Sequence, residues 1–231
     1  MTRPDTAPRA DTPTGAYTPA ARRRTEPSPY RTEPKDPMTT PSGSPTDDNV
    51  PLPEITAADL AAQPTGQLLA HAMTLIIRRI GTVPLEERPE VVRALDDVRA
   101  ALFGYWVLHY HGSNAITGFC QEMPHRVVDA DFFTLLDQSL DRMGDDDLLA
   151  LVRDWRAELD RATAEVERQE RETGTAAQGW DWERTARLLA LLDAETMRGL
   201  DARYRAIGPA SLDRVSGYIR EHADAVFTVV K

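Results

Sequence analysis

The chain has a single cysteine, Cys120, among its 231 residues. One cysteine excludes an intramolecular disulfide, so the fold must be held together by packing alone. The chain also lacks any run of about twenty apolar residues, which is the length that a membrane-spanning helix needs. No apolar segment follows the arginines at 22–24, which excludes an export signal there. We therefore expect a cytoplasmic protein that does not contact membranes.

The first part of the chain lacks the residues that build a core. It contains no Leu, Ile, Phe or Trp before Leu52, and 12 of the 17 prolines occur at or before Pro53. Such a Pro/Thr-rich segment cannot bury enough apolar surface to offset the entropy lost on ordering. The sequence predicts a disordered tail over residues 1–53 and a folded domain over residues 54–231. Met38 opens a stretch of the same composition and is an alternative translation start.

The net charge of −10 lies in the predicted folded part. Residues 1–50 contain seven basic and seven acidic side chains, which cancel, so the acidic excess belongs to residues 51–231. A run of seven aspartates, interrupted by Arg142 as its one base, forms the densest cluster: Asp129, Asp131, Asp137, Asp141, Asp145, Asp146 and Asp147. A field of this sign repels nucleic acids and membrane surfaces, and it attracts basic partners.

Apolar residues recur at three- and four-residue steps through most of the chain, which is the period of amphipathic helices. We predict an all-α fold, a single bundle-like domain of about seven to nine helices, with no strand of useful length. One helix is expected from Pro89 to Tyr110. Gly144 should close a helix and Asp145 should cap the next one. Gly208-Pro209 should end another helix.

The helix expected after Asp145 carries apolar residues at alternating four- and three-residue steps. These residues are Leu148, Val152, Trp155, Leu159, Ala162 and Val166. The spacing is typical of a coiled-coil seam. Two interpretations stay open: a contact inside the domain, or a seam that binds a second copy of the chain or another partner.

Four potential metal ligands fall close together in the sequence: His109, His111, Cys120 and His125. Their spacing does not match the paired short spacings of structural zinc sites. A Cys120–His125 nucleophile pair would lack both an orienting third residue and an adjacent oxyanion-binding turn. No phosphate-binding glycine loop and no nucleophile elbow occur in the sequence. We expect no metal, no cofactor and no catalytic residue, with a metal-dependent enzyme as an alternative.

Two segments resemble the bacterial DNA-mimic-protein-like domain family, whose members are helical and largely of unknown function. Residues 200–204 (Leu-Asp-Ala-Arg-Tyr), residues 218–222 (Tyr-Ile-Arg-Glu-His) and Phe227 are similar to the closing helices of the family. Tyr105-Trp106 and residues 111–119 stand where the family has a Trp-rich helix and an Asn-Gly-Gly-Phe turn, although the paired glycines are absent here. The resemblance implies an all-helical, often dimeric domain whose acidic surface imitates duplex DNA and occupies a DNA-binding protein.

The sequence thus leads to two hypotheses of function. The first is a non-enzymatic interaction domain whose seven aspartates bind a basic protein, such as a DNA-binding protein, without binding nucleic acid directly. The second is a helical scaffold that acts through the Leu148–Val166 seam as a homodimer or partner contact. Trp180 and Trp182 are further candidates for interface anchors, since tryptophan is enriched at binding hot spots.

Overall fold

The fold is built from helices, as the apolar periodicity predicts. The structure is a computed structural model, and the residues it describes are 50–112, 115–175 and 181–231. These ranges contain ten α-helices, one 3-10 helix at Leu85–Glu87 and two three-residue strands. The all-α prediction is confirmed, with one α-helix more than the predicted seven to nine. Of the tail predicted to be disordered, residues 1–49 lie outside the described residues.

The helices range from a single turn to 28 residues. Their bounds are α1 Ala57–Ala62, α2 Thr65–Thr82, α3 Arg88–Arg93, α4 Asp97–Gly112, α5 Ile116–Glu122, α6 Ala130–Arg142, α7 Asp146–Thr173, α8 Trp182–Ala190, α9 Ala194–Glu221 and α10 Ala223–Val226. The strands β1 (Glu54–Thr56) and β2 (Thr228–Val230) pair in parallel. None of the described helices combines the length and apolarity that a membrane crossing requires.

The helix predicted from Pro89 to Tyr110 is interrupted between α3 and α4. The carboxylate of Asp96 accepts a hydrogen bond from the backbone N–H of Arg99 (2.9 Å) and also binds its guanidinium (2.5 Å). The same guanidinium donates to the carbonyl of Val50 (2.6 Å), which is itself buried. The prediction of one continuous helix is wrong because Asp96 caps a new helix here.

α9 continues through the proline that was expected to end it. Pro209 has no N–H, so the carbonyl of Arg205 loses its helical donor, which costs about 3 kcal/mol in a helix interior. Buried side chains hold α9 on both sides of the proline, Tyr204 before it and Ser211 and Val215 after it. The predicted end at Gly208-Pro209 is wrong because packing on both sides outweighs the lost hydrogen bond.

The long helix α7 packs against α6, α8 and α9. All six seam residues, from Leu148 to Val166, are buried by this chain's own helices. Trp155 meets the rings of Phe119 and Phe133 with centroid distances of 5.4 and 5.0 Å. The seam is therefore an intramolecular contact, and its alternative role as a dimer interface is wrong.

Three residues, Met143 to Asp145, separate α6 from α7. Gly144 has a φ of 64° and donates its N–H to the carbonyl of Asp141 (3.0 Å), while the N–H of Asp145 donates to the carbonyl of Leu140 (2.9 Å). This pair of bonds is the Schellman ending of a helix. The side chain of Asp145 then accepts from the N–H of Leu148 (3.3 Å) and caps α7. Both predictions for this junction are confirmed.

A buried carboxylate of α7 forms ion pairs with two arginines of α8. Glu170 is only 3% exposed and binds the guanidinium of Arg184 through both oxygens (3.0 and 2.9 Å). Arg187 adds a third charged bond at 2.7 Å. Three charge-assisted hydrogen bonds satisfy the carboxylate and make its burial tolerable.

We expect Glu170→Gln to destabilise the fold by about 3 kcal/mol, because it leaves two guanidinium groups without their carboxylate. Glu172→Gln is the matched control, since Glu172 is exposed and its one ion pair among the described residues is with the exposed Arg168. Urea unfolding of both variants and of the wild type measures the difference. Equal stability of the two variants would show that the Glu170 contact adds nothing to the fold.

Candidate functional site beside Pro209

Four of the seven aspartates that were predicted to form an acidic surface are paired with arginines. The pairs are Asp129–Arg126 (2.6 Å), Asp137–Arg156 (4.0 Å), Asp145–Arg214 (3.0 Å) and Asp147–Arg214 (3.3 Å). Opposite charges at these distances cancel much of each other's field at longer range. The aspartate run therefore does not form one continuous negative surface.

Asp145 does not belong to the surface at all. Its exposed fraction is 0%, and its two carboxylate oxygens bind groups of α7 and α9. The assignment of Asp145 to a partner-binding surface is wrong because its capping role takes the side chain into the core.

Asp131, Asp141 and Asp146 are exposed and form no ion pair with any residue that the structure describes. Asp131 and Asp141 lie in the first and last turns of α6, about 15 Å apart along its axis. Binding of a basic protein stays a prediction. Of the seven predicted aspartates, these three are exposed and without an ion pair to a described residue, so they are the ones that such binding would use.

The two predicted tryptophan anchors have different outcomes. Trp182 opens α8 with 71% of its surface exposed, directly after Asp181, which caps the helix by accepting from the N–H of Arg184 (2.7 Å). Trp180 lies outside the described residues. The exposure of Trp182 suits an interface anchor, and that role stays a prediction.

The histidines and the cysteine of the central region do not gather into one group. Within the described ranges, no three His, Cys, Asp or Glu side chains are placed to hold a metal ion. His111 contacts Glu122 instead, with Nδ1 3.3 Å from the carboxylate. Cys120 is buried, and burial raises the pKa of its thiol to about 12, so it stays protonated and weakly nucleophilic at neutral pH.

A cavity of about 340 Å³ lies beside the proline of α9. It is bounded by α4, the start of α7 and both halves of α9, and we call it the Pro209 pocket. Its lining residues are Tyr105, His109, Leu148, Tyr204, Arg205, Gly208, Pro209, Ser211 and Leu212. Four of them carry side-chain hydrogen-bonding groups other than guanidinium, so polar groups from two helices converge on the cavity.

A chain of hydrogen bonds forms one wall of the Pro209 pocket. The hydroxyl of Ser211 donates to the carboxylate of Asp145, which Arg214 binds from the other side (3.0 Å). A serine has one hydroxyl proton, so Tyr105, whose oxygen is 3.2 Å from Ser211 Oγ, donates to it. Burial raises the pKa of Tyr105 to about 12, which keeps this phenol a donor at neutral pH.

Tyr204 lines the same pocket but makes no hydrogen bond with any residue that the structure describes. It is 6% exposed, and a Cβ added at Gly112 would sit 3.3 Å from its hydroxyl oxygen. Burial raises the pKa of Tyr204, so its phenol also keeps its proton. The Tyr204 hydroxyl is not among the atoms sealed from solvent without a partner, so it faces the open space of the pocket, where water or a ligand can reach it.

His109 completes the polar lining. Its ring stacks on Tyr105 with a centroid distance of 5.7 Å and an interplanar angle of 18°. Burial lowers the pKa of His109, so the imidazole is neutral at pH 7 and one ring nitrogen is free to accept a hydrogen bond. The pocket is therefore polar but carries little charge, with Arg205 as the one charged lining residue.

We expect Asp145→Asn to lower the free energy of unfolding by about 2 kcal/mol, because the amide cannot replace the charged bonds to Ser211 and Arg214. Asp146→Asn, at the exposed neighbouring position, should stay within the small range usual for surface substitutions. Denaturant titration of both variants compares them. A stable Asp145→Asn protein would contradict the structural role of this carboxylate.

Tyr204→Phe should change stability by less than about 0.5 kcal/mol, because it removes a hydroxyl that faces the pocket and has no partner among the described residues. Tyr105→Phe should lower stability by about 1 kcal/mol, because it breaks the bond to Ser211. Thermal and chemical unfolding of both variants test this difference. If Tyr204→Phe is the more damaging change, the Tyr204 hydroxyl is engaged within the protein.

Comparison of the chain with protein-family models, with curated proteins and with solved structures finds no match. The function must therefore be inferred from the residues of the Pro209 pocket.

Proposed function

We propose that this protein binds a small, uncharged organic molecule in the Pro209 pocket. The observation that carries the proposal is the phenol of Tyr204, a mostly buried residue whose hydroxyl faces a cavity and has no partner among the described residues. A ligand that offers an acceptor would bind this donor in place of water.

The size and lining of the pocket suit such a ligand. Binding cavities for small molecules usually measure about 300–1,000 Å³ and combine apolar walls with a few polar groups. Leu148, Pro209 and Leu212 provide apolar surface here, while Tyr105, His109, Tyr204 and Ser211 provide hydrogen-bonding groups. A cation would gain little, since the nearby carboxylate of Asp145 is already bound by Ser211 and Arg214. An anion would gain little from Arg205, because that side chain is exposed and water screens its charge.

The polar groups of the pocket also indicate which functional group the ligand carries. Tyr204 offers a donor, neutral His109 offers an acceptor nitrogen, and Arg205 has a backbone carbonyl without its helical donor. That carbonyl points along the helix axis toward Pro209, which lines the same cavity. An amide within a ring presents an acceptor and a donor side by side, so we propose a heterocyclic amide as the ligand class.

The proposal is tested with a panel of uncharged heterocyclic amides, such as 2-pyridone and hydantoin derivatives, screened by ligand-observed NMR. Compounds that bind the wild type should bind Tyr204→Phe about tenfold more weakly, because one buried hydrogen bond is lost. Tyr110→Phe is the matched control, since Tyr110 is 62% exposed and lies outside the pocket.

Absence of binding across the panel would contradict the proposed ligand class. Equal affinity for the wild type and for Tyr204→Phe would show that the ligand sits elsewhere. Because Tyr204→Phe is expected to be about as stable as the wild type, loss of binding in this variant cannot be attributed to unfolding.

A further inference from the structure

The imidazole of His109 lies on the wall of the Pro209 pocket without a hydrogen-bond partner. It is half-buried on α4, one turn after Tyr105, and its ring stacks on the phenol of Tyr105. It forms no hydrogen bond with any residue that the structure describes, and neither ring nitrogen is among the polar atoms sealed from solvent without a partner. The ring nitrogens are therefore open to water or to a ligand.

The other side-chain groups of the pocket keep the same protonation state near neutral pH. Burial raises the pKa of both Tyr105 and Tyr204, and the hydroxyl of Ser211 does not ionise. Arg205 keeps its charge, because a guanidinium does not lose its proton in proteins. Histidine is the side chain whose ordinary pKa lies between about pH 5 and 8. Among the described lining residues, His109 is therefore the one whose hydrogen-bonding role changes with pH.

The groups around His109 in the pocket offer no free carboxylate that would stabilise its protonated form. Tyr105 on α4 and Tyr204 on α9 are neutral, and Arg205 of α9 carries a positive charge. Asp145, at the start of α7, is sealed in the core and is already bound by an arginine. Burial also lowers the pKa of His109, so its neutral form prevails at pH 7 and the charged form appears in acid.

We propose that protonation of His109 weakens ligand binding in the Pro209 pocket, so that affinity is high at neutral pH and low in acid. This inference rests on the proposed function, in which the pocket binds a heterocyclic amide. Such an amide matches the hydroxyl of Tyr204 with its acceptor and the neutral nitrogen of His109 with its donor.

A proton on His109 removes this match. Tyr204 and His109 then both donate, so an amide placed between them loses one of its two hydrogen bonds in either orientation. The backbone carbonyl of Arg205 accepts at any pH, so acid weakens binding without abolishing it. The change in affinity therefore measures the contribution of the His109 nitrogen alone.

The same coupling must appear in the titration of His109 itself. A ligand that prefers the neutral imidazole lowers the pKa of His109 by the factor by which protonation lowers the affinity. Loss of one hydrogen bond makes this factor about tenfold. The affinity should be constant above the pKa of His109 in the free protein, fall as the pH drops below it, and level off below the pKa in the complex.

The test titrates 2-pyridone into the full-length protein at several values between about pH 5 and 8, and follows the ring signals of His109 by NMR with and without ligand. 2-Pyridone does not ionise in this range, so a change in affinity reports on the protein. Its affinity should fall about tenfold in acid. N-Methyl-2-pyridone, which has the acceptor without the donor, is the control ligand, and its affinity should not fall. A protein that loses its fold in acid would lose both ligands.

Two variants assign the effect to one histidine. His109→Gln keeps an acceptor oxygen that does not titrate, so its affinity for 2-pyridone should not vary with pH. His125→Gln is the matched control, since His125 is exposed and does not line the pocket, and it should keep the pH profile of the wild type. The NMR titration of His109 uses the wild type, so it stays informative if His109→Gln folds poorly.

Binding of 2-pyridone that does not vary with pH overturns this inference and leaves the proposed function intact. A pKa of His109 that stays the same when 2-pyridone binds also overturns it, and so does a His125→Gln variant that loses the pH dependence. Absence of binding at every pH contradicts the proposed function, and this inference falls with it.

Discussion

This bundle is held together by carboxylates of one helix that bind hydrogen-bond donors of another helix. Glu170 of α7 binds two arginines of α8, and Asp145 at the start of α7 binds Ser211 and Arg214 of α9. A carboxylate leaves water only where donors satisfy it, so each contact admits one arrangement of the helices and penalises the others. The apolar seam of α7 supplies the driving force for packing, and these polar contacts select which helices pack on it.

Two further carboxylates accept hydrogen bonds at the starts of helices that are distant in sequence. Glu158 accepts from the N–H of Asp193 (2.6 Å) just before α9, and Asp201 accepts from the N–H and the hydroxyl of Thr117 (3.0 and 2.8 Å) at the start of α5. The residue before α5 is Ala115, which offers no side-chain cap, so Asp201 takes that role from another helix. Negative charge is also favourable at a helix N-terminus. These four carboxylates are thus used inside the fold, so an acidic residue in the sequence does not by itself mark a position on the surface.

The sequence predicts local structure well where a single signal acts. Gly144 and Asp145 illustrate this, because both bonds of the helix ending and the cap arise from neighbouring residues. Prediction fails where two signals compete. At Pro209 a helix breaker stands within an apolar pattern that keeps its phase from Tyr204 to Val215, and the helix continues because the residues on both sides are buried. That unbroken phase is the signal that could have revealed the continuous helix.

The candidate site was harder to predict than the helices. The residues next to Asp145 in the sequence are enough to predict that it caps a helix. Its contact with Ser211, however, joins residues that are 66 positions apart. Nothing in local spacing brings those two residues together. Tyr105 and Tyr204 likewise sit in ordinary apolar stripes, and only the packed structure distinguishes the phenol with a partner from the phenol without one.

The Pro209 pocket follows from the same contacts that hold α9 in place. Ser211 ties the second half of α9 to the start of α7, while Tyr204 packs the first half near Tyr105 of α4. With both halves anchored, the proline between them cannot shift to close the cavity at its side. A phenylalanine at position 204 would pack equally well without a hydroxyl that faces the pocket, so packing alone does not account for this tyrosine. Departures of this kind from the rules of a well-packed core are expected where a protein binds something.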